Sequence, residues 1–124
     1  NKKFNKIALL NENTYSYIKQ GMFNTVNSIN GTAYQSRNIN PNYFMAGKTA
    51  TSQVRRITMS EREEGIKKNE DLPGKMRDHA LFVGYFPHFK PRFAFSIIVE
   101  HGGSGSKAAA PIARGVCKEL IKKR

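Results

Sequence analysis

The sequence predicts a mixed α/β domain, an antiparallel sheet of about three strands flanked by an N-terminal and a C-terminal helix. Three observations carry this. Apolar residues recur at helical spacing near each end, whereas the middle carries strand-length runs of β-branched and aromatic residues. Pro, Gly and Asn punctuate the junctions. A length of 124 residues, 39% hydrophobic and 24% charged, suits a single domain with a core.

The first helix is expected from about Asn13 to Ile29, with Ile18, Met22, Val26 and Ile29 at helical spacing. Asn13 or Thr14 would cap it and Asn30-Gly31 would stop it. Residues 31–42 read as a loop closing at Pro41. Tyr43 to Ile57 reads as the first strand. The charge-dense stretch 58–78 is a long connection with a short helix near Glu61 to Ile66. Ala80 to Phe86 and Arg92 to Glu100 form two further strands around the turn Pro87 to Pro91. Phe93, Phe95, Ile97 and Val99 share one face of the last strand and Ala94 and Ile98 the other, so both faces are expected to be at least partly covered. Gly102, Gly103 and Gly105 make a flexible link. The final helix runs from about Ala108 to Lys122, with Pro111 in its first turn and Ile112, Val116 or Cys117, and Leu120 facing inward.

Twenty-one Lys and Arg against nine Asp and Glu give a net charge of +12. Six of the nine acids fall between positions 60 and 78, where five bases balance them, so the positive charge belongs to the remainder. Such a surface attracts nucleic acid, anionic lipid or an acidic polymer with little discrimination. Lys2, Lys3, Lys6, Lys118, Lys122, Lys123 and Arg124 read as solvated ends. No apolar run reaches the roughly 18 residues that span a bilayer, so no direct membrane contact is expected from this segment. The chain opens without Met or a charged-then-apolar leader, and any export signal or anchor is expected to lie outside it.

Cys117 is the single cysteine, which excludes an internal disulfide and a Cys-based zinc cage; it is expected to be buried and inert. His79, His88 and His101 lack metal-ligand spacing. His88 reads as exposed in its turn, the other two as hydrogen-bonded structural histidines. No metal or other cofactor is expected. Gly47-Lys48-Thr49 is not a P-loop, because Asn42 stands where that loop needs glycine and a strand follows the lysine instead of a helix. Arg92-Phe93-Ala94-Phe95 lacks the glycine that an RNA-recognition strand carries after its basic residue, and reads as core.

What is left is Ala46-Gly47-Lys48-Thr49-Ala50-Thr51-Ser52-Gln53-Val54. A strand puts Thr49 and Thr51 on one face and Lys48 on the other. A cation, alternate hydroxyls and an edge N–H can together hold a carboxylate and a developing oxyanion. By composition alone an ordinary strand with exposed Thr and Lys accounts for the same residues.

The stretch resembles the Lys-Thr-Gly box of penicillin-recognising serine transpeptidases. The likeness extends to Gly31-Thr32-Ala33, to Arg77-Asp78-His79-Ala80-Leu81-Phe82-Val83-Gly84-Tyr85-Phe86-Pro87, and to Glu100-His101-Gly102-Gly103-Ser104-Gly105 with Ala108-Ala109-Ala110-Pro111-Ile112-Ala113. Four ordered blocks over roughly residues 14–121 resemble the transpeptidase domain of class B, elongation-type penicillin-binding proteins. The resemblance implies a peptidoglycan D,D-transpeptidase that cross-links stem peptides through an acyl-enzyme and is a target of β-lactams. It gives Lys48 and Thr51 catalytic roles, Lys48 as positive charge behind the nucleophile and the Thr51 N–H as one oxyanion donor. Thr49 and Thr51 would bind the terminal carboxylate of the stem peptide or β-lactam. The box glycine is Ala50 here, its methyl on the Lys48 side, which puts efficiency in question.

The family also needs Ser-x-x-Lys and Ser-x-Asn. Ser16 to Lys19 and Ser104 to Lys107 fit the first, Ser28 to Asn30 and Ser36 to Asn38 the second. Composition alone produces matches at this frequency, and Ser16 to Lys48 leaves no room for the helical subdomain that separates the family's motifs. All four read as decoys. Residues 1–124 are therefore expected to be the C-terminal segment of a transpeptidase domain, inactive alone, whose partner is the upstream part of the same domain. The resemblance places the parent at the periplasmic face of the inner membrane. Unpaired edges predict self-association. Two other readings stand beside this one: a non-catalytic cell-wall peptide-binding module, and a small basic nucleic-acid-binding domain, although no nucleic-acid partner is expected.

Overall fold

The computed structural model describes residues 11–122. Lys2, Lys3, Lys6, Lys123 and Arg124, read above as solvated ends, lie outside them. The order is α1 (Glu12–Asn27), β1 (Ala46–Ser52), α2 (Met59–Glu64), β2 (His79–Phe86), β3 (Phe93–Val99) and α3 (Ala110–Lys122), with short 3-10 turns between and a π-helical turn, Gly105–Ala109, leading into α3. The sheet is antiparallel in the order β1-β2-β3, pairing Thr49 with Phe82 and Phe82 with Ile97. The expected fold class is the observed one.

Asn11, rather than Asn13 or Thr14, caps α1: its Oδ1 accepts from the Thr14 N–H at 2.9 Å. The helix ends at Asn27, so Ile29 falls outside it and is 78% exposed. Of the four apolar positions only Val26 is fully buried. Strand β1 is shorter than Tyr43 to Ile57. Pro41–Tyr43 forms a 3-10 turn, and beyond Ser52 the chain leaves the sheet, its Val54 N–H captured by the Asp78 carboxylate.

The excursion 53–78 is pinned rather than loose. Thr58 and Glu61 form a capping box on α2. The backbone N–H of Thr58, then the Arg55 guanidinium 2.7 Å away, hold the Glu61 carboxyl below its ordinary range. The Asn69 side-chain amide donates to the Asp78 carboxylate and its Oδ1 accepts from the Asp78 backbone N–H, and Arg77 Nε donates to the Leu72 carbonyl.

Alternation puts Ala80, Phe82, Phe86, Phe95, Ile97 and Val99 on one sheet face, where α3 covers them. Burying the Phe82 side chain there contributes about 1.5–3 kcal/mol. The inner stripe of α3 is Ala110, Ala113, Cys117 and Leu120, whereas Ile112 and Val116 are 47% and 40% exposed. Small residues win this face because the helix runs close to the sheet. Cys117 is fully buried against Met45 Sδ, and burial pushes its thiol up to about 12, which fits an inert thiol.

The opposite face is open along β3, where Ile98 is 62% exposed, and at Val83, 44% exposed, whereas Leu81 and Tyr85 on the same face are half-buried. His88 is not simply exposed. Its Nδ1 lies 3.0 Å from the Tyr85 hydroxyl and its ring 4.4 Å from that of Phe23, so it bridges α1 to β2. Burial, then the Lys19 charge, hold His88 below its ordinary pKa. His79 and His101 are structural as expected, the His101 N–H donating to His79 Nδ1 at 2.9 Å. Among the described residues no helix is long and apolar enough to cross a membrane.

Candidate active-site wall

The box occupies β1, an outer strand of the described sheet. It is set there by what lies on either side. Gly47 faces the Phe82 ring so closely that a Cβ would fall 2.6 Å from its Cε1. Gly105 lies directly on the Ala50 backbone: a Cβ there would sit 2.5 Å from the Ala50 carbonyl oxygen, 3.0 Å from its nitrogen, and closer still to the Leu81 carbonyl oxygen. The glycine link is thus a packed wedge under the box, not a flexible joint. Gly103 at φ +78° and its N–H bond to the Asp78 carbonyl at 2.8 Å fix its course.

Lys48 and Thr49 part to opposite faces, as strand alternation predicts. Lys48 is exposed and lines a recess of about 390 Å³ with Gly21, Asn24, Thr25 and Thr32; its Nζ donates to the Thr49 carbonyl. Thr49 is 8% exposed, and its Oγ1 lies 2.8 Å from Thr32 Oγ1. Thr51 and Ala50 are exposed. The arrangement offers an exposed cation on one side of the strand and a buried, hydrogen-bonded hydroxyl on the other, the donor set that suits an anion lying along the edge.

Neither Ser-x-x-Lys match joins its serine to its lysine by a described hydrogen bond. Ser16 is exposed on the N-terminal half of α1, beside Tyr15, Lys19, Gln20 and His88, in a different recess from Lys48. Ser104 Oγ pairs with Ser106 Oγ at 2.9 Å, while Lys107 reaches Glu70 at 3.1 Å, so that lysine does not serve the serine. Among the described residues no group of His, Cys, Asp and Glu gathers as metal ligands. Two residues escaped sequence reasoning: Thr32, noted only as part of a spaced block, and Gly105, noted only as a link.

The sheet, the covering C-terminal helix and the box on β1 define a transpeptidase-type domain. The family model for the penicillin binding protein transpeptidase domain matches residues 2–118, and the chain belongs to that family. It is 37% identical over 108 residues to the peptidoglycan D,D-transpeptidase MrdA of Haemophilus influenzae, covering 86% of this chain and 16% of that protein. The Salmonella typhimurium MrdA is 33% identical over 107 residues. Among solved structures, Pseudomonas aeruginosa PBP2 in complex with WCK 5153 superposes with a TM-score of 0.61 at 32% identity, covering 86% of this chain and 19% of that one. Helicobacter pylori PBP2, solved with MreC, gives a TM-score of 0.69 at 26% identity, covering 91% and 18%. The chain spans about one-sixth of the length of the curated relatives it matches.

Proposed function

We propose that this chain supplies the Lys-Thr-Gly-type wall of a serine D,D-transpeptidase that cross-links peptidoglycan stem peptides. The observation that carries the reading is the box on an outer strand, with Lys48 exposed and Thr49 held by Thr32, in a chain of this family. In the reaction, a serine Oγ outside these residues attacks the carbonyl of the penultimate D-alanine. Its proton passes through the lysine network to the departing amine, terminal D-alanine leaves, and an acyl-enzyme forms. An acceptor amine then attacks the acyl carbon, loses a proton, and restores the serine. Thr49 and Thr51 hold the terminal carboxylate, the Thr51 N–H supports the oxyanion, and Lys48 supplies positive charge beside the proton path. A β-lactam takes the same route but keeps its leaving group attached. By the same reading the parent protein is anchored in the inner membrane with this domain in the periplasm.

The test is release of D-alanine from a synthetic stem peptide by the full-length protein carrying this segment. Turnover that prior β-lactam treatment abolishes is expected. Peptide binding without D-alanine release would establish the binding module instead, and steeply salt-dependent nucleic-acid binding without either would establish the basic domain.

The isolated 124 residues are expected to self-associate. Val83 and Ile98 expose apolar surface on the face turned away from α3, and β3 is an outer strand of the described sheet. Sedimentation velocity should show concentration-dependent dimers or larger species; a monodisperse monomer with a high melting temperature would contradict this.

A further inference from the structure

Thr32 and Thr49 are 17 residues apart, yet their hydroxyl oxygens lie 2.8 Å from each other. The approach is built in. Gly31 packs against the Asn24 and Thr25 carbonyls too closely for any Cβ. Its N–H donates to the Ser28 carbonyl at 2.8 Å, and the Ala33 N–H donates to the Thr25 carbonyl at 2.9 Å. Thr32 therefore projects from a turn clamped at both neighbours to the end of α1. Its side chain stands between two recesses, the one that Lys48 lines and a second of about 510 Å³ lined by Ser106, Lys107, Arg114 and Lys118.

A hydroxyl carries one proton and two acceptor lone pairs. Only one of two bonded hydroxyls can donate within the pair. If Thr49 donated to Thr32, it would present lone pairs to an incoming carboxylate and repel it. If Thr32 donates, one of the two acceptor sites of Thr49 is filled and its own proton is free for the carboxylate. A chain of hydrogen bonds ending on a carboxylate favours the second direction, because each bond polarises the next.

We propose that Thr32 is a positioning residue: its hydroxyl donates to Thr49 Oγ1 and aims the Thr49 proton at the substrate carboxylate. This rests on the reading of Thr49 given above. Thr32 touches the reaction only through Thr49, so its loss weakens recognition of the carboxylate and leaves the acylation step itself alone.

The test uses the full-length protein, a β-lactam with a free carboxylate and its methyl ester, and stopped-flow separation of the non-covalent dissociation constant from the acylation rate. Thr32→Val should raise the dissociation constant of the acid by about tenfold, the scale of one charge-assisted hydrogen bond. The acylation rate and the behaviour of the ester should stay as they were. Thr32→Ser, which keeps the hydroxyl, should restore the acid. In a Thr49→Val background, Thr32→Val should add nothing further. Equal losses for acid and ester, failure of Thr32→Ser to restore, or a full effect in the Thr49→Val background would overturn the assignment of Thr32. Should Thr49→Val itself leave the acid and ester unchanged relative to each other, the carboxylate role of Thr49 falls, and the proposal with it.

Discussion

Replacing Lys48 with Ala in the full-length protein is expected to slow β-lactam acylation by about 10²–10⁴-fold, the range for removing a group that assists proton transfer in the transition state. The folded state should barely notice. Lys48 is exposed, and its one described hydrogen bond runs to the carbonyl of the next residue, so no buried partner is orphaned by the change. The pair of measurements is acylation rate and thermal midpoint. A large fall in the first with the second preserved is the expected signature. Wild-type acylation by a Lys48→Ala protein would remove the lysine from the mechanism. Parallel losses in rate and midpoint would make it a structural residue instead.

Gly105→Ala should have a large structural effect directly beneath the box. The new Cβ would meet the Ala50 and Leu81 backbone, which cannot swing aside as a side chain end can. Overpacking of this kind costs about 1–3 kcal/mol. Relief requires either the π-helical turn to lift off the sheet or β1 to move outward at Ala50, which carries Thr49 and Thr51 with it. Stability to urea and the acylation rate should therefore fall together. Gly115→Ala in α3 is the matched control: its Cβ would meet nothing within 4 Å, and it should stabilise by roughly 0.5–1 kcal/mol through helix propensity alone. Equal stability of Gly105→Ala and the parent would show that the link does not bear on the box.

Local patterning made much of the fold legible. Strands β2 and β3 lie within one residue of their expected limits, because alternating aromatic and β-branched residues between proline-marked turns leave few other options. The helix near Glu61 is there because Thr58 and Glu61 encode its start three residues apart. What failed was whatever depends on tertiary approach. In the first turns of α3, Ile112 and Val116 are more hydrophobic than Ala110 and Ala113, yet the two alanines are the ones buried against the core, since close packing there selects for size and not for hydropathy. Ile98 reads as core by alternation and is 62% exposed, because α1 reaches its face only near β1 and Tyr85, away from β3. At the site, Lys48, Thr49 and Thr51 stood out through the ordered blocks around them. Thr32 did not, because a hydrogen bond across 17 residues leaves no periodic trace. Gly105 did not, because a glycine required by contact looks in sequence like a glycine required by a turn.

We propose that these residues form one wall of a site whose nucleophile lies elsewhere in the parent protein. Intact-mass analysis after incubation with a reactive β-lactam, followed by peptide mapping, tests it most directly. No mass increase is expected for the 124-residue chain, and one adduct on the full-length protein, mapped to a serine outside this segment. A stoichiometric adduct on the isolated chain, at Ser16 or Ser104, would contradict it.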